Sequence, residues 1–249
     1  MGREVGGSGA TVRSLTQGIF VKKIIYFPPS NLKDMPVKAI VTGGTGLIGK
    51  ELVIQLASSN DIEHVVVLGR RYVDYSHPKI EQHIVDLSDG EALRGYMKGD
   101  VLFCALGTTI KKAGSQENFR LVDHHYVVNP AKVAAEEGVK QFCVVSSIGA
   151  KAESKNFYLR TKGEMENDVQ ALPFSSVHIF RPSLLLGNRA ENRPGERIAE
   201  TFFKVFGFVF FGKLKRYAPI NASKVAAAMM KAAMEGKPGT NIYESDMII

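Results

Sequence analysis

The stretch Thr42-Gly43-Gly44-Thr45-Gly46-Leu47-Ile48-Gly49 constrains this chain more than any other. A short apolar run, Val37 to Val41, precedes it and reads as a buried strand. Leu47, Ile48, Leu52, Val53 and Leu56 follow at helical spacing. A strand, a glycine turn and a helix in that order carry a dinucleotide's pyrophosphate onto a helix N-terminus. Gly43 permits the tight turn, Gly46 presents no Cβ to the phosphates, and Gly49 lets the helix lie close to the strand. Thr45, Leu47 and Ile48 complete the turn as cofactor-binding candidates. The string alone also fits an ordinary glycine loop, and its place between strand and helix is what favours the cofactor.

The chain has 249 residues, enough for one well-packed domain of ordinary size. Its net charge of +7 is spread along the sequence, without long basic runs or interleaved aromatic residues. That pattern speaks against nucleic acid and for a basic protein with an anionic cofactor. Cys104 and Cys143 each lie inside an apolar run and read as buried thiols in a reducing compartment, not as a disulfide or metal site. No apolar run is long enough to span a bilayer. Residues 1–35 are glycine-rich and aperiodic, and are expected to be a poorly ordered extension. They lack a secretory h-region, and Gly6 stands where myristoylation wants Ser or Thr. An organelle-targeting role and a natural start at Met35 are both open for this segment, and a cytoplasmic location is expected.

From residue 36 onward strands and helices alternate. Further strands are expected at Glu63–Leu68, Ile80–Val85, Val101–Ala105, Val139–Ser146 and Ser176–Phe180. Helices are expected at Gly90–Lys98, Gln116–Glu137, Tyr158–Ala171, Glu196–Phe211 and Asn221–Glu235, with a kink or break near Asn129 caused by Pro130. Asn241–Tyr243 reads as a short closing strand. Continuous apolar strands between helices argue for a doubly wound parallel α/β sheet, a Rossmann fold, covered on both faces. Residues 36–249 then form one domain, and the segments from about 181 onward cover a substrate at the carboxyl ends of the strands.

An NAD-binding fold places a carboxylate about 20 residues past the glycines, on the ribose hydroxyls. Here that place holds Gly69-Arg70-Arg71. Two guanidiniums suit a 2′-phosphate, so the cofactor reads as NADP(H). Asp86, at the end of the third strand, either bonds the adenine amino group or caps the next element. Tyr158 and Lys162 lie four apart on one helix face. An ammonium beside a phenol favours proton exchange with a substrate oxygen, and the lysine also reaches the nicotinamide ribose. Ser146 and Ser147 close the fifth strand, and a hydroxyl there holds a carbonyl oxygen. Strand alternation sends the two to opposite faces, so only one serves.

The ordered set TGGTGLIG, LGRR, CALGTT at Cys104–Thr109, VVSSIGA at Val144–Ala150 and YLRTK at Tyr158–Lys162 resembles the short-chain dehydrogenase/reductase superfamily over residues 36–249. The CALGTT turn, Leu121-Val122-Asp123 and RPSLLLGNRAENRPGE at 181–196 are similar to its atypical branch. The resemblance implies an NADPH-binding Rossmann fold, with Tyr158 as proton donor and acceptor and Lys162 as its electrostatic partner. It also implies that Leu106 and Gly107 line the cofactor and that Pro182–Leu185 meets the nicotinamide end. The function expected is an NADPH-dependent oxidoreductase acting on a small carbonyl substrate. The alternatives are an NADPH-binding regulatory protein without turnover and an NAD-dependent epimerase or dehydratase.

Three features stand outside this scheme. His124-His125 diverge around a helix and find no metal-ligand partner at suitable spacing, so they read as structural or surface residues. Phe202–Phe211 packs as core or lines an apolar pocket, or else residues 202–216 press on a membrane surface or on a second subunit of a homodimer. Arg189, Arg193 and Arg197, four apart, form either a solvated face or an anion-attracting rim.

Overall fold

Alternate residues of the apolar runs face opposite sides of one sheet. In β1 (Val37–Thr42), Ala39 and Val41 join one core and Ile40 the other. In β4 (Val101–Cys104), Val101 and Phe103 face the first and Leu102 and Cys104 the second. β5 (Gln141–Val145) divides likewise, with Cys143 and Val145 opposed to Phe142 and Val144. A strand buried on both faces has no need of a polar side, so its sequence is a continuous apolar run.

The computed structural model describes residues 36–186 and 216–248. The first 35 residues, the helix expected at Glu196–Phe211, the arginines at 189, 193 and 197, and most of the 202–216 surface lie outside that set. The remaining strands of the sheet are β2 (Ile62–Gly69), β3 (Ile80–Ile84), β6 (Ser176–Arg181) and β9 (Gly239–Glu244). The spatial order is β3-β2-β1-β4-β5-β6-β9, and every pairing is parallel. The expected closing strand is therefore a full seventh strand, β9, on the outer edge. A two-stranded pair, β7 (Leu185–Leu186) and β8 (Ile220–Asn221), lies apart from the sheet.

Helices cover both faces. α1 (Leu47–Ser58) packs Ile48, Leu52, Val53 and Leu56 into the first core beside α7 (Ala222–Glu235), which contributes Val225, Ala226 and Met229. Gly236, with φ at 58°, ends α7 in the left-handed conformation that glycine adopts without a Cβ clash. The second face carries α2 (Gly90–Arg94), α5 (Tyr126–Glu136) and α6 (Phe157–Gln170), through Leu93, Val127, Ala131, Met165 and Val169. Two short helices, α3 (Ile110–Ala113) and α4 (Gln116–Arg120), precede α5, capped by the Thr109 and Ser115 side chains. Cys104 and Cys143 are buried and free, as expected, and burial raises the pKa of both thiols.

Of the kink or break expected near Asn129, the break is not there. Pro130 lies inside α5 and the helix runs through it. Irregularity lies instead before α5, where Leu121–His125 winds as a π-turn and the Tyr126 N–H donates back to the Leu121 carbonyl. α2 also stops at Arg94, short of the expected Lys98. Among the described residues no helix is long and apolar enough to cross a membrane.

Candidate cofactor and active site

The order in which successive strands are added reverses between β1 and β4, which lie side by side and parallel at the centre of the sheet. A parallel sheet opens its ligand crevice at such a point, outside the carboxyl ends of the strands. Gly43 follows β1 there, with φ at 83°. A Cβ on Gly43 would stand 2.6 Å from the Ala105 carbonyl carbon and 2.7 Å from the Leu106 nitrogen, so the turns after β1 and β4 touch through their backbones. A Cβ on Gly49 would lie 2.1 Å from the Gly43 carbonyl oxygen, which seats α1 directly on the turn. Gly46 is the N-cap of α1 and supplies no side-chain cap, and the first turn of α1 carries no acidic residue. A bare helix N-terminus behind a glycine cradle fits a pyrophosphate by shape and by dipole. Thr45 is exposed at the rim and Leu47 half-buried, while the Ile48 side chain turns into the core and leaves only its backbone towards the crevice.

The segment between β2 and β3 is fastened to this turn. The Tyr75 hydroxyl donates to the Gly44 carbonyl at 2.7 Å, and burial pushes the phenol up to about 12. The Gln82 amide pairs with both backbone groups of Val73, donating to its carbonyl at 2.7 Å and accepting from its N–H at 3.0 Å. Arg70 and Arg71 open this segment, both exposed. Arg70 lies over the ring of Tyr126, 5.8 Å from its centroid. Asp86 accepts from the Ser88 N–H at 2.9 Å and the Ser88 hydroxyl at 2.7 Å, and these bonds, with the Arg70 charge, hold its carboxyl below the usual range. Its Oδ1 is thus engaged by Ser88, while the side chain that caps α2 is that of Asp89, which accepts from the Ala92 N–H.

At the other end of the crevice α6 and the π-turn meet. The Lys162 ammonium lies 2.8 Å from Asp123 Oδ1, and both side chains are almost wholly buried. Asp123 Oδ2 accepts from the Thr108 N–H at 2.8 Å. Gly107, exposed at the crevice, stands against the same pair, since a Cβ there would be 3.6 Å from Asp123 Oδ1 and 3.9 Å from Lys162 Nζ. Burial pulls the Lys162 pKa down. The Asp123 carboxylate and Tyr158 outweigh it, so the ammonium stays above its ordinary value. Tyr158, one turn earlier on α6 and half-buried, packs its ring 5.3 Å from that of Phe119. Both serines lie just past the end of β5. Ser146 is buried, and its hydroxyl finds no hydrogen-bond partner among the described residues. Ser147 is half-buried, with a long 3.5 Å contact to the Ile148 carbonyl. Leu106 and Leu185 are half-buried, packed against the second and the first core respectively.

Asp123 had no place among the candidate residues drawn from the sequence, beyond its motif. The available signal was an aspartate on the apolar side of an amphipathic helix, beside Val127. A carboxylate so placed needs a cation. The pairing of His124 was missed in the same way. His124 is buried in the π-turn and its Nε2 lies 2.8 Å from Asp168 on α6, a partner 44 positions away that no local spacing reveals. Burial and the Arg120 charge lower the His124 pKa against the pull of Asp168. Among the described residues no group of His, Cys, Asp and Glu could hold a metal ion.

A glycine cradle at the switch point of a parallel sheet, with a Tyr/Lys helix at its side, defines a dinucleotide-binding Rossmann protein. The model of a family described as NAD(P)H-binding matches residues 43–200. The chain belongs to that family, within the atypical branch of the short-chain dehydrogenases/reductases. It is 36% identical over 210 residues to "Protein FMP52, mitochondrial" of Candida albicans, covering 82% of this chain and 90% of the relative. It is 38% identical over 167 residues to "Protein HTATIP2" of Rattus norvegicus, covering 66% of this chain and 69% of the relative. Among solved structures it resembles the Bordetella bronchiseptica enzyme WbmG in complex with NAD and UDP, with a TM-score of 0.63 at 15% identity over 84% of this chain and 73% of that one. That likeness speaks for the fold.

Proposed function

We propose that the protein is an NADPH-dependent oxidoreductase that reduces a small carbonyl compound. The observation that carries this reading is the buried Lys162 ammonium, held charged by Asp123 one helical turn from Tyr158. A charge this deep has a large desolvation cost, which the Asp123 carboxylate offsets, and its place one turn from the phenol suits it to stabilise a phenolate. NADPH, when bound, supplies the hydride. Gly43, Gly46 and the first turn of α1 receive the pyrophosphate, and Arg70 with Arg71 receives the 2′-phosphate. Tyr158 gives its proton to the developing alkoxide oxygen, and the Lys162 charge stabilises the phenolate left behind. Of the two serines, Ser147 suits the substrate oxygen, because its hydroxyl stands nearer solvent and Ser146 is sealed from it.

A panel of aldehydes and ketones, followed by NADPH absorbance, tests the reading. Tyr158→Phe should abolish turnover of any substrate found while leaving NADPH affinity within about twofold. Full activity in that variant would remove Tyr158 from the mechanism. A panel with no turnover, beside tight NADPH binding, would favour a regulatory protein that senses the cofactor. Subcellular fractionation separates the cytoplasmic expectation from a mitochondrial one, which the name of the Candida relative and the basic balance of the first 30 residues support.

A further inference from the structure

The two arginines after β2 are alike in the sequence and differ in the structure. Among the described residues neither makes a hydrogen bond or an ion pair. Arg70 nevertheless rests on Tyr126, its guanidinium 5.8 Å from the ring centroid, while Arg71 has no ring beneath it among the described residues. Asp86 is the nearby carboxylate whose field Arg70 feels, and its oxygen is already taken by Ser88. With Oδ1 so occupied, Asp86 makes no bidentate pair with the guanidinium. A guanidinium over an aromatic face keeps its edge donors directed outward, and those edge donors are the ones a phosphate uses. Tyr126 itself is well fixed. It is half-buried, it packs against the second core, and its N–H closes the π-turn on the Leu121 carbonyl.

From this juxtaposition we infer that Tyr126 is a specificity-determining residue. It positions Arg70 for the 2′-phosphate, so the preference for the phosphorylated dinucleotide rests on the Tyr126–Arg70 stack, and Arg71 adds only diffuse charge. The inference rests on the NADPH reading above and deepens it. It also gives the π-turn region a double role. Asp123, three positions before Tyr126, fixes the lysine at the reacting end, and Tyr126 fixes the arginine at the adenosine end.

The test is calorimetric titration of NADPH and of NADH, separately, into the full chain and its variants Tyr126→Leu, Tyr126→Phe, Arg70→Ala and Arg71→Ala. Tyr126→Leu should weaken NADPH binding about two- to fivefold, the range expected of a surface cation–π contact. NADH binding should move less than about twofold. Tyr126→Phe, which keeps the ring, should match the parent, and Arg71→Ala should cost less than Arg70→Ala. Tyr126→Gln replaces Tyr126→Leu if the latter fails to fold. Equal losses for NADPH and NADH in Tyr126→Leu would mean a merely structural tyrosine and overturn the inference. An intact preference in Tyr126→Leu, with the preference lost in Arg70→Ala, would also overturn it and leave the NADPH reading standing. Preference unchanged in Arg70→Ala would overturn the inference alone, whereas a parent without preference for NADPH over NADH would remove both.

Discussion

Lys162 and Asp123 meet at 2.8 Å across the junction of α6 and the π-turn, each with its charged end out of reach of water. The pair depends on both members. Removing one partner leaves an uncompensated buried charge, which costs about 3–5 kcal/mol. Asp123→Ala should therefore lower stability by about that amount in urea unfolding. Asp123→Leu combined with Lys162→Met should recover much of the loss, because the charge is then gone too. A double variant no more stable than Asp123→Ala would show that the site tolerates a lone ammonium.

The glycine turn gives a second expectation. Gly49→Ala drives a Cβ to 2.1 Å from the Gly43 carbonyl oxygen, and the atoms it meets are backbone, so α1 must shift. A loss of about 1–3 kcal/mol is expected, with weaker NADPH binding. Gly95, at the end of α2, meets nothing within 4 Å and has helical φ and ψ, so Gly95→Ala is the control and should be close to neutral. Thermal unfolding of the two variants side by side makes the comparison.

His178 supplies a pH dependence. It is buried between β6 and β9, its Nε2 2.9 Å from the Ser176 hydroxyl and its Nδ1 3.1 Å from that of Tyr243. Because Ser176 donates to the Lys237 carbonyl, it accepts from His178, which fixes the Nε2–H tautomer. Burial, with the Lys237 charge, pushes the imidazole down to about 4 from its usual 6.5. The unfolded chain therefore takes up the proton first. Stability should be full above about pH 6.5, fall as the pH drops towards 4, and level off below it, for a total near 3 kcal/mol. The difference in urea midpoint between the parent and His178→Gln, followed from pH 7 to 4, isolates this contribution. A difference that stays constant with pH would contradict it.

The phenol of Tyr75 ties the segment after Arg71 to the Gly44 carbonyl at 2.7 Å. Tyr75→Phe removes that bond and should cost about 1 kcal/mol in stability. Amide hydrogen exchange should rise across residues 71–79 in that variant and stay unchanged in α6.

Much of this was legible in the sequence, and the rest has a common cause. The strands announced themselves because burial on both faces leaves continuous apolar runs. The turn at Gly43–Gly49 announced itself because its steric demands admit only glycine at particular steps. Tyr158 and Lys162 followed from helical spacing. Asp123, Asp168 and Tyr126 did not, because their partners Lys162, His124 and Arg70 lie tens of residues away and only the packing of α5, α6 and β2 brings them together. The π-turn was hidden for a different reason. Residues 121–125 carry no residue type that sets a π-turn apart from an α-turn, and Pro130, the visible helix breaker, lies inside an unbroken helix.

The most direct test of the central claim is equilibrium binding of NADPH and NADH to the purified chain and to an Arg70→Ala/Arg71→Ala variant. The account predicts that the parent binds NADPH at least about tenfold tighter than NADH, a difference of about 1.4 kcal/mol, and that the variant loses this preference while still binding NADH. No dinucleotide binding, or equal affinity for the two cofactors in the parent, would contradict it.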